Sequence, residues 1–157
     1  MHAENPAARI KAVFRRIHVE RMAGLPLLNP ALEVAAVGFS RHSDDWRGVL
    51  VTPWGINLLL LPAVEDWPVP PPLERAFRQY PAGSFAFLPN HEEGLGDYLA
   101  CPLISDMKPF ADQETALATA RACLIALDIA PGQTPADAPG APDSLERRRF
   151  LLRGMKE

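Results

Sequence analysis

Three apolar segments follow one another between residues 33 and 61, with only short connections between them. The segments Glu33–Phe39, Trp46–Thr52 and Ile56–Leu61 are rich in valine, leucine and isoleucine, a composition typical of strands. Polar Ser40–Asp45 joins the first two, and Pro53-Trp54-Gly55 joins the last two. Connections this short favour antiparallel neighbours. The middle of the chain is therefore predicted to form an antiparallel meander.

Two more strands are predicted further along, at Ser84–Leu88 and Tyr98–Ile104. Between them, His91–Asp97 is polar and contains glycine, which predicts a loop. Before them, Trp67–Pro72 contains four prolines and is predicted to cross the surface in an extended conformation. A short helix is predicted near Leu73–Tyr80.

Helix signals flank this strand-rich middle. Asn5 and Pro6 form a start signal for a first helix that runs to about Gly24. Asp112 can cap a last helix that runs to about Leu127. The expected fold is α+β: an antiparallel sheet of about five strands with two long helices packed on one face.

The chain is long enough for one domain, which we place at residues 1–130. Residues 131–143 consist mostly of Pro, Ala, Gly and Asp, a composition that predicts a flexible linker. Residues 144–157 form a basic C-terminal tail with five Lys/Arg against two Asp/Glu.

Composition also limits the classes of function. No apolar run approaches the roughly 18 residues of a membrane span, and basic residues interrupt any signal peptide, so a cytoplasmic protein is expected. Residues 26–143 hold six Lys/Arg against fifteen Asp/Glu, which would repel a phosphate backbone. Nucleic acid is therefore not an expected partner.

The residues that could carry chemistry do not form a recognisable set. Cys101 and Cys123 do not make the cysteine pairs of a zinc or iron–sulfur site. His91-Glu92-Glu93 lacks the second histidine of a metalloprotease helix. Cys101 would be a nucleophile only if a histidine lies near it in space. We expect no catalytic residue, metal or cofactor, and keep a cysteine-dependent enzyme as an alternative.

The turn Thr52-Pro53-Trp54-Gly55 and Trp67 are candidates for binding a partner. Tryptophan at an exposed turn is a good interface anchor because it is large and rigid. An equally good interpretation is that Trp54 and Trp67 cover the end of the sheet as peripheral core.

A series of short motifs extends in order through roughly residues 10–128. It comprises Leu25-Pro26, Asn29-Pro30, Val34–Phe39, Trp46 with Gly48, Thr52-Pro53-Trp54, Asn57-Leu58, Leu60-Leu61-Pro62, Trp67, Pro81 with Gly83, Phe87, Tyr98, Cys101 and Leu103. This series resembles the HybE family of nickel-iron hydrogenase assembly chaperones, and the Thr-Pro-Trp turn is its most specific piece. The chain departs from the family pattern at Gly55 and after Cys101.

The resemblance implies a non-enzymatic accessory protein that binds the large-subunit precursor of a nickel-iron hydrogenase. It also implies a role in coordinating assembly with a small-subunit precursor that carries a twin-arginine export signal. Some members of the family carry a rubredoxin-like iron domain, whose cysteine pairs this chain lacks. A different protein-binding or regulatory module is the alternative.

The acidic residues Glu92, Glu93 and Asp97 acquire a hypothetical role from this resemblance. Carboxylates in one loop could attract a basic segment of the partner, and a twin-arginine signal is such a segment. The simpler interpretation is a solvated polar loop.

Overall fold

A single antiparallel sheet runs through the described part of the chain, residues 1–132 of a computed structural model. The predicted tail at 144–157 and the linker beyond residue 132 lie outside the described residues. The elements are α1 (Ala7–Ile17), a π-helical turn (His18–Met22), β1 (Ala35–His42), β2 (Asp45–Thr52), β3 (Gly55–Pro62), β4 (Ala76–Tyr80), β5 (Gly83–Glu92), β6 (Gly96–Ile104) and α2 (Gln113–Leu127). The strand order is β1-β2-β3-β6-β5-β4.

The predicted α+β class and the antiparallel meander are confirmed, although the sheet has six strands rather than about five. The additional strand is β4, so the short helix expected near Leu73–Tyr80 is wrong. Leu73, Phe77 and Tyr80 have helical spacing, but Leu73 and Phe77 are exposed. The β4 side chains that face the core include Arg78, which pairs with the buried carboxylate of Asp45. The core-facing positions are therefore not all apolar, and the alternating apolar pattern that predicts a strand is missing from the sequence.

The two helices lie on opposite faces of the sheet, not on one face as expected. In β3, Leu58 and Leu60 pack in one core with α2, whereas Leu59 and Leu61 pack in another core with α1. Strands that are buried on both faces have continuous apolar sequences rather than alternating ones. The unbroken leucine run in β3 is therefore the sequence signal of two covered faces.

Both helices begin after their predicted start signals, whereas α1, expected to run to about Gly24, ends at Ile17 and continues as the π-helical turn to Met22. Asn5 accepts a hydrogen bond from the backbone N–H of Ala7 at 3.0 Å, and its amide also donates to the carbonyl of Phe39 at 2.8 Å. Asp112 caps α2 by accepting from the backbone N–H of Thr115 at 2.7 Å. These bonds satisfy backbone donors that have no partner within the helix.

The β4–β5 hairpin folds across the α2 face because β5 changes partner along its length. Its first half pairs with β4, and its second half, from Leu88, pairs with β6. At the hairpin turn, Ala82 N–H donates to the carbonyl of Leu127 at 3.1 Å. The α2 face is therefore closed by α2 and by this hairpin together.

Ion pairs of the buried β2 residues Arg47 and Asp45 join α2 and the β4–β5 hairpin to that strand. Arg47 donates to both carboxylate oxygens of Asp128 at 3.0 and 3.2 Å, and its guanidinium lies 4.9 Å from the centre of the Tyr80 ring. Asp45, expected in a hairpin loop, instead begins β2 and is buried. It accepts from Arg78 Nε at 2.9 Å.

Candidate partner-binding surface

The predicted turn from Thr52 to Gly55 is held by three hydrogen bonds and places Trp54 at the surface. Thr52 is fully buried; its hydroxyl donates to the carbonyl of Gly55 at 2.9 Å and accepts from the backbone N–H of Trp54 at 3.3 Å. The carbonyl of Pro53 accepts from Asn29 N–H at 2.9 Å. Trp54 itself is half-buried. Hydrogen bonds at Thr52, Pro53 and Gly55 thus fix the direction of the tryptophan.

Trp54 also contacts the end of α1. Its ring lies 5.7 Å from the ring of His18, tilted by 57°. His18 begins the π-helical turn that follows α1, and such turns occur often at functional sites. The tryptophan is therefore held from two directions, by its own turn and by the helix.

A cleft of about 390 Å³ opens beside α1, with Trp54 on its wall. Its lining is mainly apolar and consists of Phe14, Leu50, Trp54, Asn57, Leu59, Leu73, Leu88, Pro89, Asn90, Tyr98, Ala100 and Pro102. We call this cleft the α1 groove. It lies on the part of the sheet that α1 leaves uncovered.

Aromatic packing shapes the α1 side of the groove. The Phe14 and Tyr98 rings meet edge to face, with centroids 6.1 Å apart. Burial raises the pKa of Tyr98, and the negative charge of Glu92 raises it further, so its hydroxyl stays protonated at neutral pH. The groove therefore presents an uncharged, largely apolar surface.

Large apolar side chains project into solvent on the opposite side of the groove. Leu73 is 91% exposed, and Leu88 is 39% exposed. Phe77 of the neighbouring strand β4 is 60% exposed. Exposed apolar side chains that line one cleft, as Leu73 and Leu88 do, are typical of sites of protein interaction.

The backbone of Leu73 supports the same conclusion. Leu73 has a φ of +70° in a turn closed by the bond from Glu74 N–H to the carbonyl of Pro71, at 3.0 Å. A positive φ at the third position of a turn favours glycine or asparagine. A leucine that is both strained and exposed contributes nothing evident to folding, which points to a role in binding.

Trp67 is not on this surface. It is 7% exposed and packs in the core of the α2 face, where its indole N–H donates to Asp45 at 2.7 Å. Trp67 is therefore a core residue and not an exposed interface anchor, and it does not contact the Trp54 turn.

The acidic residues Glu92, Glu93 and Asp97 lie at the tip of the β5–β6 hairpin. Both strands extend into the loop that was predicted at His91–Asp97, so the loop is shorter than expected. Glu92 forms an ion pair with Arg21 at 2.6 Å, and Asp97 is hydrogen-bonded to His91 at 2.9 Å. Among the residues described, Glu93 has no recorded ion pair for its carboxylate. Two of the three carboxylates thus already have a partner within the chain.

The surroundings of the two cysteines do not favour a nucleophilic thiolate. Burial raises the pKa of the Cys101 thiol and raises that of Cys123 to about 11, which disfavours the reactive thiolate. Within residues 1–132, no three His, Cys, Asp or Glu side chains are arranged to hold a metal ion.

Sequence patterns could not identify most of the groove. Leu73 was expected on a helix, and Leu88 and Tyr98 were expected only as strand residues. A signal was nevertheless present, since Pro71-Pro72-Leu73-Glu74 is a turn sequence with leucine where glycine is usual.

No helix in the described part is long and apolar enough to cross a membrane.

Comparison with known proteins gives a consistent result. The model of the family "[NiFe]-hydrogenase assembly, chaperone, HybE" matches residues 5–154. The hydrogenase expression/formation protein HupT of Azotobacter chroococcum is 37% identical over 147 residues, which are 93% of each protein. Protein HoxT of Cupriavidus necator is 34% identical over 158 residues, with 91% of this chain and 86% of that protein covered.

One relative is considerably longer than this chain. The probable rubredoxin HupJ of Rhodobacter capsulatus is 40% identical over 127 residues, which cover 80% of this chain. The matched part spans 46% of the length of that relative.

The fold is shared with a solved structure. The solution structure of HybE from Escherichia coli superposes with a TM-score of 0.68, covering 92% of this chain and 90% of that one at 24% identity. The family match over residues 5–154, with relatives that are 34% and 37% identical along most of their length, shows that the chain belongs to the HybE family of [NiFe]-hydrogenase assembly chaperones.

Proposed function

We propose that this chain is a non-enzymatic accessory chaperone that holds a precursor subunit of a nickel-iron hydrogenase in the α1 groove. The proposed client is the large-subunit precursor, the small-subunit precursor with its twin-arginine signal, or both, bound in the cytoplasm before export. The supporting observation is the apolar groove flanked by Trp54 and the exposed, strained Leu73. Such a surface suits an apolar region of a protein that is not yet assembled.

The predicted partner-binding residues have different parts in this proposal. Trp54 contacts the client directly, and Thr52, Pro53 and Gly55 hold it in place through the bonds of the turn. Trp67 is buried on the opposite face, so any effect it has on binding passes through the stability of the fold.

The acidic hairpin tip is proposed to make a smaller contribution. Attraction of a basic client segment rests mainly on Glu93, because Glu92 and Asp97 are already bonded to Arg21 and His91. Exposed charges of this kind add more to the association rate than to affinity.

A co-purification experiment tests the proposal. The tagged chain is recovered from cells that make the matching hydrogenase, and the bound precursors are quantified for the unchanged protein and for Trp54→Ala and Leu88→Ser. Loss of one central apolar anchor should reduce recovery about tenfold or more, and Trp54→Phe should keep more binding than Trp54→Ala.

Val69→Ser is the matched control, since Val69 is 41% exposed and lies outside the α1 groove, whereas Leu88 is 39% exposed inside it. Recovery of Val69→Ser should equal that of the unchanged protein. The proposal is wrong if no hydrogenase precursor is recovered, or if the two groove variants bind as well as the control.

A further inference from the structure

The outward face of α1 carries four cations and no carboxylate. Ile10, Val13, Phe14 and Ile17 form the buried side of this helix. Around the rest of it lie Arg9, Lys11, Arg15 and Arg16, and the helix sequence contains neither Asp nor Glu. Helices of soluble proteins commonly mix both signs of charge on the exposed side, where pairs three or four residues apart stabilise the helix. This helix does not use such pairs.

The cations of α1 also lack partners elsewhere. None of the ion pairs found within residues 1–132 includes Arg9, Lys11 or Arg15. Arg16 donates to a backbone carbonyl, that of Glu93, at 2.7 Å, and so its charge is not neutralised by a carboxylate. Three arginines on other elements are each paired with a carboxylate.

These cations stand out against an acidic remainder of the domain. Residues 26–132 contain six Lys/Arg against thirteen Asp/Glu, whereas residues 1–25 contain five against two. Charge that is separated in this way steers a partner of opposite sign toward one face of the protein. The partner of α1 is therefore acidic.

A protein partner fits this face better than a membrane or a nucleic acid. Between the cations the exposed positions hold Ala8 and Ala12, which are too small to insert among lipids but allow a close approach. A phosphate polymer or an anionic bilayer extends beyond α1 and would meet the acidic remainder of the domain, which would repel it, whereas a short protein segment is confined to α1 and its surroundings.

The cationic face adjoins the α1 groove. Phe14 of the same helix lines the groove, and Lys11 lies one turn before Phe14 on the same side of the helix. We propose that α1 and its groove together bind a protein segment in which Asp or Glu side chains lie next to large apolar ones. The apolar side chains fill the groove while the carboxylates pair with Lys11 and Arg15 on the groove side of the helix, and Arg9 adds to the attraction from the other flank. This inference rests on the proposed function, because the segment belongs to the client.

Two labelled peptides test the charge preference without any hydrogenase subunit. One mixes leucine and phenylalanine with glutamate, and the other has lysine in place of every glutamate. Binding is measured by fluorescence anisotropy at low and at high salt. Exposed ion pairs are individually weak, so the attraction of these three cations predicts a preference of about tenfold for the acidic peptide at low salt. The preference should shrink as salt screens the charges.

A charge-reversed variant identifies the surface responsible. Arg9→Glu, Lys11→Glu and Arg15→Glu together should abolish or invert the preference. The matched control reverses three exposed cations on other elements, Arg41, Lys108 and Arg121, and so has the same net charge. It should keep most of the preference for the acidic peptide, and far-UV circular dichroism should show both variants folded.

Equal binding of the two peptides, including no binding of either, contradicts the inference, as does an equal effect of the two triple variants. These outcomes are separate from failure of the proposed function. If precursor is recovered from cells but peptide charge makes no difference, the inference alone fails. If the acidic peptide is preferred through α1 but no hydrogenase precursor is recovered, the proposed function fails and the chemistry of the surface stands.

Discussion

The two faces of the sheet are covered in different ways. The α2 face is closed by a helix and a hairpin, and two ion pairs, each with one buried member, join it within the chain, Arg47 with Asp128 and Asp45 with Arg78. The α1 face is covered only in part, and the α1 groove remains open beside the helix. Its exposed charges are mostly unpaired. We infer that stability is concentrated on the α2 face and partner binding on the α1 face.

The largest stability effect is expected from Asp45 on the closed face. Asp45→Ala leaves the guanidinium of Arg78 and the indole N–H of Trp67 without their acceptor. Removing one member of a mostly buried pair should lower the free energy of unfolding by about 3 kcal/mol. Urea denaturation measures this, with Asp44→Ala at the neighbouring exposed position as a control that should change stability by less than about 0.5 kcal/mol. Equal losses in the two variants would show that the buried charges do not hold the closed face.

The next effect probes the part of the α1 face that is tightly packed. A Cβ added at Gly48 would overlap the ring of Phe39, so Gly48→Ala should destabilise the fold by about 2 kcal/mol. Adding Phe39→Leu should recover part of this loss, because the smaller side chain makes room. Thermal or urea unfolding of the three variants checks the prediction. A Gly48→Ala protein as stable as the parent would mean that this face is loosely packed throughout, and not only at the groove.

A smaller effect of opposite sign is expected at the groove. Leu73→Asn places a residue that tolerates positive φ at a strained position and removes an exposed leucine. Stability should stay the same or rise by up to about 1 kcal/mol, while binding of the client falls. Unfolding and co-purification are measured on the same preparation. A destabilised variant with full binding would place Leu73 among the residues needed for folding.

The smallest effect concerns two histidines, the buried His2 and the half-buried His42. Burial and the charge of the N-terminus lower the pKa of His2, and burial and the charge of Arg47 lower that of His42, from the ordinary value of 6.5. The unfolded chain then takes up protons before the folded chain does, so stability should decrease as pH falls below about 6.5. His2→Gln and His42→Gln together should flatten the curve of unfolding free energy against pH between about pH 7.5 and pH 5.5. An unchanged curve would show that other groups cause the pH dependence.

The sequence was sufficient for the local structure of the meander and of both helices. Each depends on neighbouring residues, such as the cap at Asp112 or the short turn before Gly55, whose effects act over a few positions. The placement of the helices on the two faces was not predicted. The sequence signal for this placement is the leucine run in β3, because an unbroken apolar run indicates a strand that is buried on both faces.

The candidate surface was predicted only in part. Trp54 was identified because a tryptophan in a tight turn is conspicuous in sequence. Leu73 and Tyr98 come together with it only through the folding of distant segments, and Trp67 is buried by a pairing with Asp45, 22 positions away. Long-range pairings of this kind leave no periodic pattern in one sequence. The apolar spacing from Leu73 to Tyr80 even favoured the wrong element.

The central claim is that the partner binds the α1 face. Hydrogen–deuterium exchange of the chaperone, alone and with purified hydrogenase large-subunit precursor, tests it most directly. The account predicts slower exchange on binding in α1, the Trp54 turn and the first residues of β4, with little change in α2. Protection confined to α2 and the β4–β5 turn, with the Trp54 turn unchanged, would contradict it.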